Sequence, residues 1–329
     1  MWTKNHKNPF HKDPFHKNPW KTANLQTRQR LQLRLDKIAL EGFKLSHTLI
    51  RPDSITTLPT TPLVLGSPHS GRNYPPSFLA QSGLSLNQLR QSEDCYVDRL
   101  LEPLTAFGIP LIAANFPRIY LDLNRGPDEW PPELSPSETF SEARPISPRA
   151  RAGLGVVPLR IGPDTDIYPH AITGDLIQGR LDALYHPYHD DLRGLLQTAK
   201  AHNGHALLLD CHSMPGHDAS GQRRADMVLG NCYGDSCHAH TLDFIETVFT
   251  DLGYETVRNH PYAGGYITSH YGKPADNVEA IQIEINKDLY LNSATLEPHA
   301  GLAKLTVNMQ AAILQIKEYL KTPTALAAE

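Results

Sequence analysis

Two histidines and a glutamate occupy comparable positions in three apolar segments that are typical of buried strands. His69 follows "LVLGSP", His212 follows "LLLDC", and Glu284 lies inside "IQIEI". Ligands of open α/β sheets bind at the carboxyl ends of strands, so we expect these three side chains to meet at one sheet edge. A catalytic zinc ion needs three ligands from His, Asp or Glu and an open position for water. The pattern therefore predicts a metal site that needs one further carboxylate.

The missing carboxylate is expected in "SEDCYVD", inside an amphipathic helix that the apolar spacing predicts over residues 84–108. On such a helix Glu93 falls on the apolar stripe, and Asp94 lies about a hundred degrees round from it. Periodicity alone therefore favours Glu93 as the inward carboxylate. The alternative is that Glu93 is a first-turn acid, which the helix dipole stabilises without any metal.

Two other residues of these strands bear on the same site. Asp210 could orient the imidazole of His212 or His69 through the ring nitrogen that faces away from a metal, or it could bond loop amides at the strand end. Cys211 alternates to the opposite face and is predicted to be a small core residue. A buried, lone Glu284 would be costly, so it must either meet a partner or work beside the metal.

The segment "PRIYLDLNR" supplies residues that suit an acidic substrate. Guanidinium groups match carboxylates with a planar, bidentate fork, and Arg118 and Arg125 both lie in this segment. An N-acyl derivative of an amino diacid would offer two carboxylates to them. The alternative is that both arginines pair with Asp122 or Asp128 on the surface, where ion pairs stabilise little.

The elements that must position these residues alternate between strands and helices, which indicates a mostly parallel or mixed sheet with helices on both faces. Apolar periodicity predicts helices over about residues 175–202, 240–254 and 302–320. The first contains "YHPYH", which places His186 and His189 on one helix face. We expect this pair to form a pocket wall or to be structural, and a metal pair or a substrate contact is the alternative.

Two adjacent glycines, Gly264 and Gly265, mark a tight turn or a close approach of the backbone to a ligand. We expect a substrate-binding loop here, with Tyr266 and Tyr271 as weaker candidates for contacts. An ordinary turn is the alternative.

The composition limits the partners of the chain. The 329 residues carry a formal net charge of −4, which argues against a nucleic-acid binder of the basic-patch kind. No apolar run is long enough to span a membrane and no secretory signal is visible. The four cysteines form no CxxC pair, which favours a reducing compartment, namely the cytoplasm. A small-molecule substrate is the expected partner, and the oligomeric state is not predicted.

The chain is predicted to form one large domain with terminal extensions. Residues 1–24 repeat "HKNPF" imperfectly and should be a disordered basic arm. Residues 25–60 are predicted to form a helical appendage and linker, 61–320 a single α/β hydrolase domain, and 321–329 a tail. Residues 127–165 are rich in Pro, Ser and Glu and suggest an excursion or lid over the sheet.

Eight motifs between about residues 62 and 291 resemble, in order and spacing, the N-formylglutamate amidohydrolase family, which is related to the zinc carboxypeptidases and the aspartoacylases. The resemblance implies a three-layer α/β/α fold with a mixed sheet of the zinc-peptidase type. The motifs are "PHSGRNYP", "EDCYVDRL", "FPRIYLDLNR", "YHPYH", "LLLDCHSMP", "DMVLG", "NHPYAGGYITSHYGKP" and "IQIEINKDLY".

The resemblance also implies a ligand set and a cofactor. One Zn²⁺ ion, or another divalent metal, would be held by His69, Asp94 and His212. The family pattern thus favours Asp94 over Glu93, which stays the alternative. Relatives with an HxxE motif would have a glutamate three residues after the first histidine, where this chain has Arg72.

By the same resemblance, Glu284 is the general base, and the reaction is hydrolysis of N-formyl-L-glutamate to formate and L-glutamate in histidine catabolism. Asn124 and Arg125 would hold one substrate carboxylate, and Arg118 would hold the other or polarise the scissile carbonyl. Gly264, Gly265 and Tyr266 belong to the expected substrate loop. Together with the three metal ligands and Asp210, these residues make up the expected site.

The chain departs from the family pattern at Asn231 and Cys232, where an acid-base pair is common, and at Lys287, where arginine is usual. These departures leave two rival functions open. One is hydrolysis of another N-acyl amino acid or a short peptide. The other is a catalytically silent protein that binds a small molecule.

Overall fold

The computed structural model describes residues 46–50, 61–130, 147–162 and 164–322. One mixed sheet of seven strands runs through them in the order β1-β3-β2-β4-β7-β5-β6. The neighbours β3, β2, β4 and β7 are parallel, β1 and β5 run antiparallel to β3 and β7, and β6 is parallel to β5. The strands are β1 His47–Ile50, β2 Leu63–Ser67, β3 Leu111–Ala114, β4 Ala206–Met214, β5 Met227–Gly230, β6 Thr256–Arg258 and β7 Val278–Asn286.

Nine α-helices of the described residues surround this sheet, and two of them are continued directly by a short 3₁₀ or π turn. Their bounds are α1 Pro76–Gln81, α2 Leu86–Arg90, α3 Val97–Leu101, α4 Pro148–Arg151, α5 Gly174–Arg180, α6 His186–Asn203, α7 Ala239–Asp251, α8 Tyr266–Tyr271 and α9 Gly301–Tyr319. A π-helical turn, Leu181–Tyr185, joins α5 to α6.

The two faces of the sheet have separate apolar cores, because side chains alternate along each strand. The first core contains Leu207, Leu209 and Cys211 of β4 and packs against α3, α7 and α9. The second contains Ala206 and Leu208 and packs against α6 and α8. The predicted three-layer α/β/α class is confirmed, and Cys211 is a fully buried core residue as expected.

The predicted helix over residues 84–108 is wrong in its middle. It is interrupted between Arg90 and Val97, and Tyr96 has a left-handed φ of 64°. Long-range hydrogen bonds hold the interruption: Lys287 Nζ donates to the carbonyl of Glu93 at 2.6 Å and Tyr290 Oη donates to that of Cys95 at 2.8 Å. Amphipathic periodicity cannot reveal such bonds, since their donors lie almost two hundred positions away.

The sheet also begins earlier than predicted. His47–Ile50, inside the predicted helical appendage and linker of residues 25–60, is a strand that pairs antiparallel with β3. Its partly polar sequence, HTLI, suits an edge strand. The predictions for residues 1–24, for most of 25–60, for 131–146 within the possible lid, and for 323–329 lie outside the described residues.

Candidate metal centre and active site

One face of the sheet changes from apolar to polar half-way along two neighbouring strands. On β4, Leu208 is followed on the same face by Asp210 and His212, and on β7 Gln282 and Glu284 occupy the matching positions. The parallel register pairs Asp210 with Gln282 and His212 with Glu284. All four side chains are buried. The sheet therefore delivers an imidazole and a carboxylate side by side, close to the carboxyl ends of the strands.

His69, Asp94 and His212 meet at this place, although more than a hundred residues separate Asp94 from His212. Asp94 Oδ2 lies 3.0 Å from His212 Nδ1 and 3.4 Å from His69 Nδ1. Possible ligand atoms of the three residues lie within 4.8 Å of one another, and all three are buried. His69 Nδ1 is buried without a hydrogen-bond partner. Two imidazoles and a carboxylate in this arrangement suit a divalent metal such as zinc.

Each imidazole has a second carboxylate beside Nε2, the ring nitrogen that faces away from Asp94. His69 Nε2 donates to Asp122 Oδ1 at 2.7 Å, and His212 Nε2 lies 3.1 Å from Asp210 Oδ2. This arrangement fixes the ring orientation and leaves both Nδ1 atoms directed toward Asp94. Metal-binding histidines usually have such a partner. The buried donor set thus fits a metal, and of the two interpretations of Asp210 the structure shows the contact with His212.

Charge in this cluster is strongly compensated. Burial would raise the pKa of Asp94, but its hydrogen bond with His212 and the close approach of His69 hold the pKa well below its usual value. Burial would lower the pKa of His212, but the charge and hydrogen bond of Asp210 together with Asp94 hold it well above its usual value. The Asp94 carboxylate is therefore ionised at neutral pH.

Glu93 lies outside the cluster. Its carboxylate accepts from Tyr74 Oη at 2.7 Å and from Arg90 Nε at 3.3 Å. The periodicity argument for Glu93 fails because residues 91–96 are not helical. Asp94 reaches the histidines instead, and its own backbone N–H donates to the carbonyl of His69 at 3.0 Å.

Asp122 is a functional candidate that the sequence reasoning considered only as a surface partner of arginines. It is buried and accepts from His69 Nε2, from Arg118 Nη2 at 2.8 Å and from the backbone N–H of Asn124 at 2.9 Å. Burial opposes ionisation, yet Arg118, His69 and Arg125 hold its pKa well below the usual value. Its position in the apolar run "IYLDL" was a signal that it is buried.

The residues predicted to bind substrate carboxylates are more engaged within the protein than expected. The side chain of Arg118 is 27 % exposed, and its guanidinium forms an ion pair with Asp122. Arg125 donates from Nη1 to the carbonyl of Asn124 at 3.0 Å and from Nε to that of Leu154 at 3.3 Å. Asn124 is buried, accepts from the backbone N–H of Ile267 and places Nδ2 3.3 Å from His212 Nε2.

Glu284 is 7 % exposed and has one described hydrogen bond, from Gln282 Nε2 at 2.9 Å. Burial and the nearby charge of Asp94 outweigh His212 and Arg118 and raise its pKa to about 7. A carboxylate with a pKa near neutrality can take up and release a proton during turnover. The strand register places Glu284 directly beside His212.

The glycine pair packs closely against the site. The N–H of Gly265 donates to Gln282 Oε1 at 2.8 Å, and a Cβ at this position would clash with the amide of Asn124. Gly264 has φ 127°, which favours glycine. The two glycines thus let the backbone hold the amides of Asn124 and Gln282. Tyr266 is partly exposed and stacks on His270, with ring centroids 4.8 Å apart.

His189 is structural in the described chain. Its Nε2 donates to the carbonyl of Leu123 at 3.0 Å, and Tyr271 Oη lies 2.9 Å from its Nδ1. Burial lowers the pKa of His189 to about 3, so the ring is neutral. Tyr185 Oη donates to the carbonyl of Arg125 at 2.8 Å. The "YHPYH" segment therefore supports the backbone that carries Asp122, while His186 is exposed.

A mixed sheet with helices on both faces, and polar groups gathered at the carboxyl ends of its parallel strands, define an α/β protein with a buried site that could hold a metal. Comparison with known proteins specifies which kind. The chain belongs to the N-formylglutamate amidohydrolase family, whose model matches residues 61–291, and it is thus an amidohydrolase by family.

The similar proteins agree with this assignment. The N-formylglutamate deformylases of Pseudomonas putida and Pseudomonas aeruginosa are each 28 % identical to the chain, over 79 % of its length and 92 % of theirs. A crystal structure of N-formylglutamate amidohydrolase from Ralstonia eutropha JMP134 superposes with a TM-score of 0.76 at 32 % identity, covering 84 % of this chain and 98 % of that one. A gene product of Agrobacterium tumefaciens, 20 % identical with a TM-score of 0.60, shares the fold.

Within the described residues, no helix has both the length and the apolar character needed to cross a membrane.

Proposed function

We propose that the protein hydrolyses N-formyl-L-glutamate to formate and L-glutamate, with a divalent metal ion, zinc in the first place, held by His69, Asp94 and His212. The observation that carries the proposal is the buried His69-Asp94-His212 cluster with Glu284 paired to His212 in the strand register. The names of the similar proteins support the substrate.

The metal, when bound, would supply Lewis acidity and make water a better nucleophile at neutral pH. The residues of the chain supply the rest. Glu284 accepts the proton of the attacking water at its carboxylate and passes it to the leaving amine. A pKa raised to about 7 suits both transfers, because the carboxylate can hold the proton between them.

Arg118 is proposed to contact the substrate, either at a carboxylate or at the carbonyl oxygen on which negative charge develops. It is partly exposed and its Nη2 is anchored on Asp122, so the guanidinium is oriented before substrate arrives. Asn124 and Arg125 donate to protein acceptors. We therefore propose that they act on the substrate through the loop that they stabilise. Asp122 and Asp210 orient His69 and His212.

A cytoplasmic location, which the cysteine usage favours, and a role in histidine catabolism, which the family resemblance implies, belong to the same proposal. The four cysteines are free thiols, which agrees with a reducing compartment.

The variant Glu284→Gln tests the mechanism. We expect it to bind zinc as the wild type does and to release formate from N-formyl-L-glutamate at least about a thousand times more slowly, since the amide cannot accept the proton. Formate release and metal content would be measured on the same preparation. Glu279→Gln, on the same strand but bonded to the backbone of His238, is the matched control and should keep normal turnover. Normal activity of Glu284→Gln would reject the base assignment.

A further inference from the structure

The connection from β4 to β5, residues 215–226, passes over the carboxyl end of β7. Because β5 runs antiparallel to β7, the first residue of β5, Met227, is paired with Ile285 near the end of β7. Asn286 Nδ2 donates to the carbonyl of Arg224 at 3.1 Å. Asn286 lies two positions after Glu284 and on the same face of the strand. The backbone of Arg224 is therefore fixed beside the strand residue that lies two positions after the proposed general base.

The side chain of Arg224 is held in a defined position. Its Nε donates to the carbonyl of His217 at 3.3 Å, and its guanidinium carbon lies 5.6 Å from the centroid of the Tyr262 ring. Burial is the main reason why the pKa of Tyr262 is raised, and the charges of Glu284 and Asp94 contribute, as is expected of a ring at the edge of the site.

Arg224 differs from the neighbouring arginines in its ion pairing. Arg223 pairs with Asp226 and Glu255, and Arg118 pairs with Asp122. Within the part of the chain that the structure describes, no carboxylate oxygen lies within 4.0 Å of the Arg224 guanidinium, and the exposed Asp218 interacts with it only at longer range. Its side chain is only half-buried. A stacked guanidinium without a carboxylate partner at the edge of an active site is suited to bind a carboxylate from solution.

We propose that Arg224 binds the side-chain carboxylate of the substrate and determines the preference for an amino diacid; this inference rests on the proposed function. In the proposed reaction, the carbon that is attacked would lie between the His69-Asp94-His212 cluster and Glu284. The side-chain carboxylate of an extended N-formylglutamate is about 6 Å from that carbon, which is close to the rise of about 6.6 Å over two strand residues. Arg224, anchored two strand residues beyond Glu284, is placed for this group, and Arg118 lies nearer to the metal cluster.

The test uses the full-length, zinc-loaded protein and two substrates that differ only at this group, N-formyl-L-glutamate and N-formyl-L-glutamine. For Arg224→Met we expect the KM for N-formyl-L-glutamate to rise about 10- to 100-fold, with kcat within a few-fold of the wild type. The kinetic constants for N-formyl-L-glutamine should not change, because its neutral amide makes no ion pair. Arg224→Lys keeps the charge but not the bidentate fork, so its KM for N-formyl-L-glutamate should lie between those of the wild type and of Arg224→Met.

Arg193→Met is the matched control, since it removes the same charge from an exposed ion pair with Asp190 and should leave both substrates unaffected. An unchanged KM for N-formyl-L-glutamate in Arg224→Met would overturn the assignment, as would an equal loss for both substrates, which would indicate a structural role. If the wild type releases no formate from N-formyl-L-glutamate, the proposed function itself fails, and the substrate preference assigned to Arg224 fails with it.

Discussion

Asp122 illustrates how one carboxylate serves several neighbours at the residue scale. It accepts from His69, Arg118 and the backbone of Asn124 at once, so it fixes a proposed metal ligand and a proposed substrate contact together. A partner of this kind typically changes metal affinity or activity 10- to 100-fold when it is removed. We therefore expect Asp122 to act through its neighbours.

We predict that Asp122→Asn weakens zinc binding about 10- to 100-fold while the protein stays folded, because the neutral amide orients and polarises His69 less well. Competition with a chromogenic chelator would measure the affinity, and circular dichroism the fold. Asp98→Asn is the control, since Asp98 is partly exposed and pairs with Arg72 away from the cluster. Equal affinity in Asp122→Asn and the wild type would show that His69 does not need this partner.

At the scale of elements, α6 and the turn before it work as a support for the loop that carries Asp122. Pro187 stands in the first turn of α6, directly after the π-helical turn. Proline cannot donate the hydrogen bond of a helix interior, and π turns often occur at functional sites. Tyr185 and His189 on either side of this proline bond the carbonyls of Arg125 and Leu123.

The buried, neutral His189 gives this support a dependence on pH. The pKa of His189 is lowered to about 3 from 6.5. Between pH 6.5 and pH 3, therefore, the unfolded chain binds a proton at this histidine that the folded protein does not bind. Its contribution to stability is complete above about pH 6.5 and is lost as the pH falls toward 3. At pH 5 the loss is about 2 kcal/mol. We predict that His189→Gln, which cannot take up this proton, reduces the difference in unfolding free energy between pH 7 and pH 5 by about that amount.

Urea denaturation at the two pH values measures this difference. The exposed neighbour provides a control, since His186→Gln should show the same pH dependence as the wild type. A pH dependence in His189→Gln equal to that of the wild type would contradict the prediction.

The elements that the sequence predicted best are those with strong local periodicity. The long helices α6, α7 and α9 and the strands β4 and β7 lie close to their expected positions, because apolar spacing is a local signal. The interruption that carries Asp94 could not be predicted this way, since Lys287 and Tyr290 hold it from the other end of the chain. Asp94 entered the expected ligand set through the family resemblance, against the periodicity.

At the scale of the whole molecule, the proposed metal site joins distant parts of the chain. His69 follows β2, Asp94 precedes α3, and His212 lies in β4. A ligand that binds only the folded state stabilises it by mass action. Metal binding should therefore require the folded protein and should stabilise it as a whole, since no short segment contains all three proposed ligands.

We predict that zinc at a hundred times its dissociation constant raises the stability of the metal-free protein by about 2.7 kcal/mol, which corresponds to a rise in Tm of about 5–10 °C for a domain of this size. Differential scanning calorimetry with and without zinc measures the shift. His212→Ala should show no shift, because it lacks one of the three ligands. A zinc-independent Tm in the wild type would exclude the site.

The antiparallel orientation of β5 has an evolutionary consequence. Because β5 starts where β7 ends, the connection that carries Arg224 returns to the sheet on the edge from which it left, and it threads through neither apolar core. Insertions and replacements in residues 215–226 can thus be tolerated without repacking the interior. Relatives of this protein could thus change their specificity for acyl amino acids by exchanging this surface connection alone, while the proposed metal ligands and Glu284 stay unaltered.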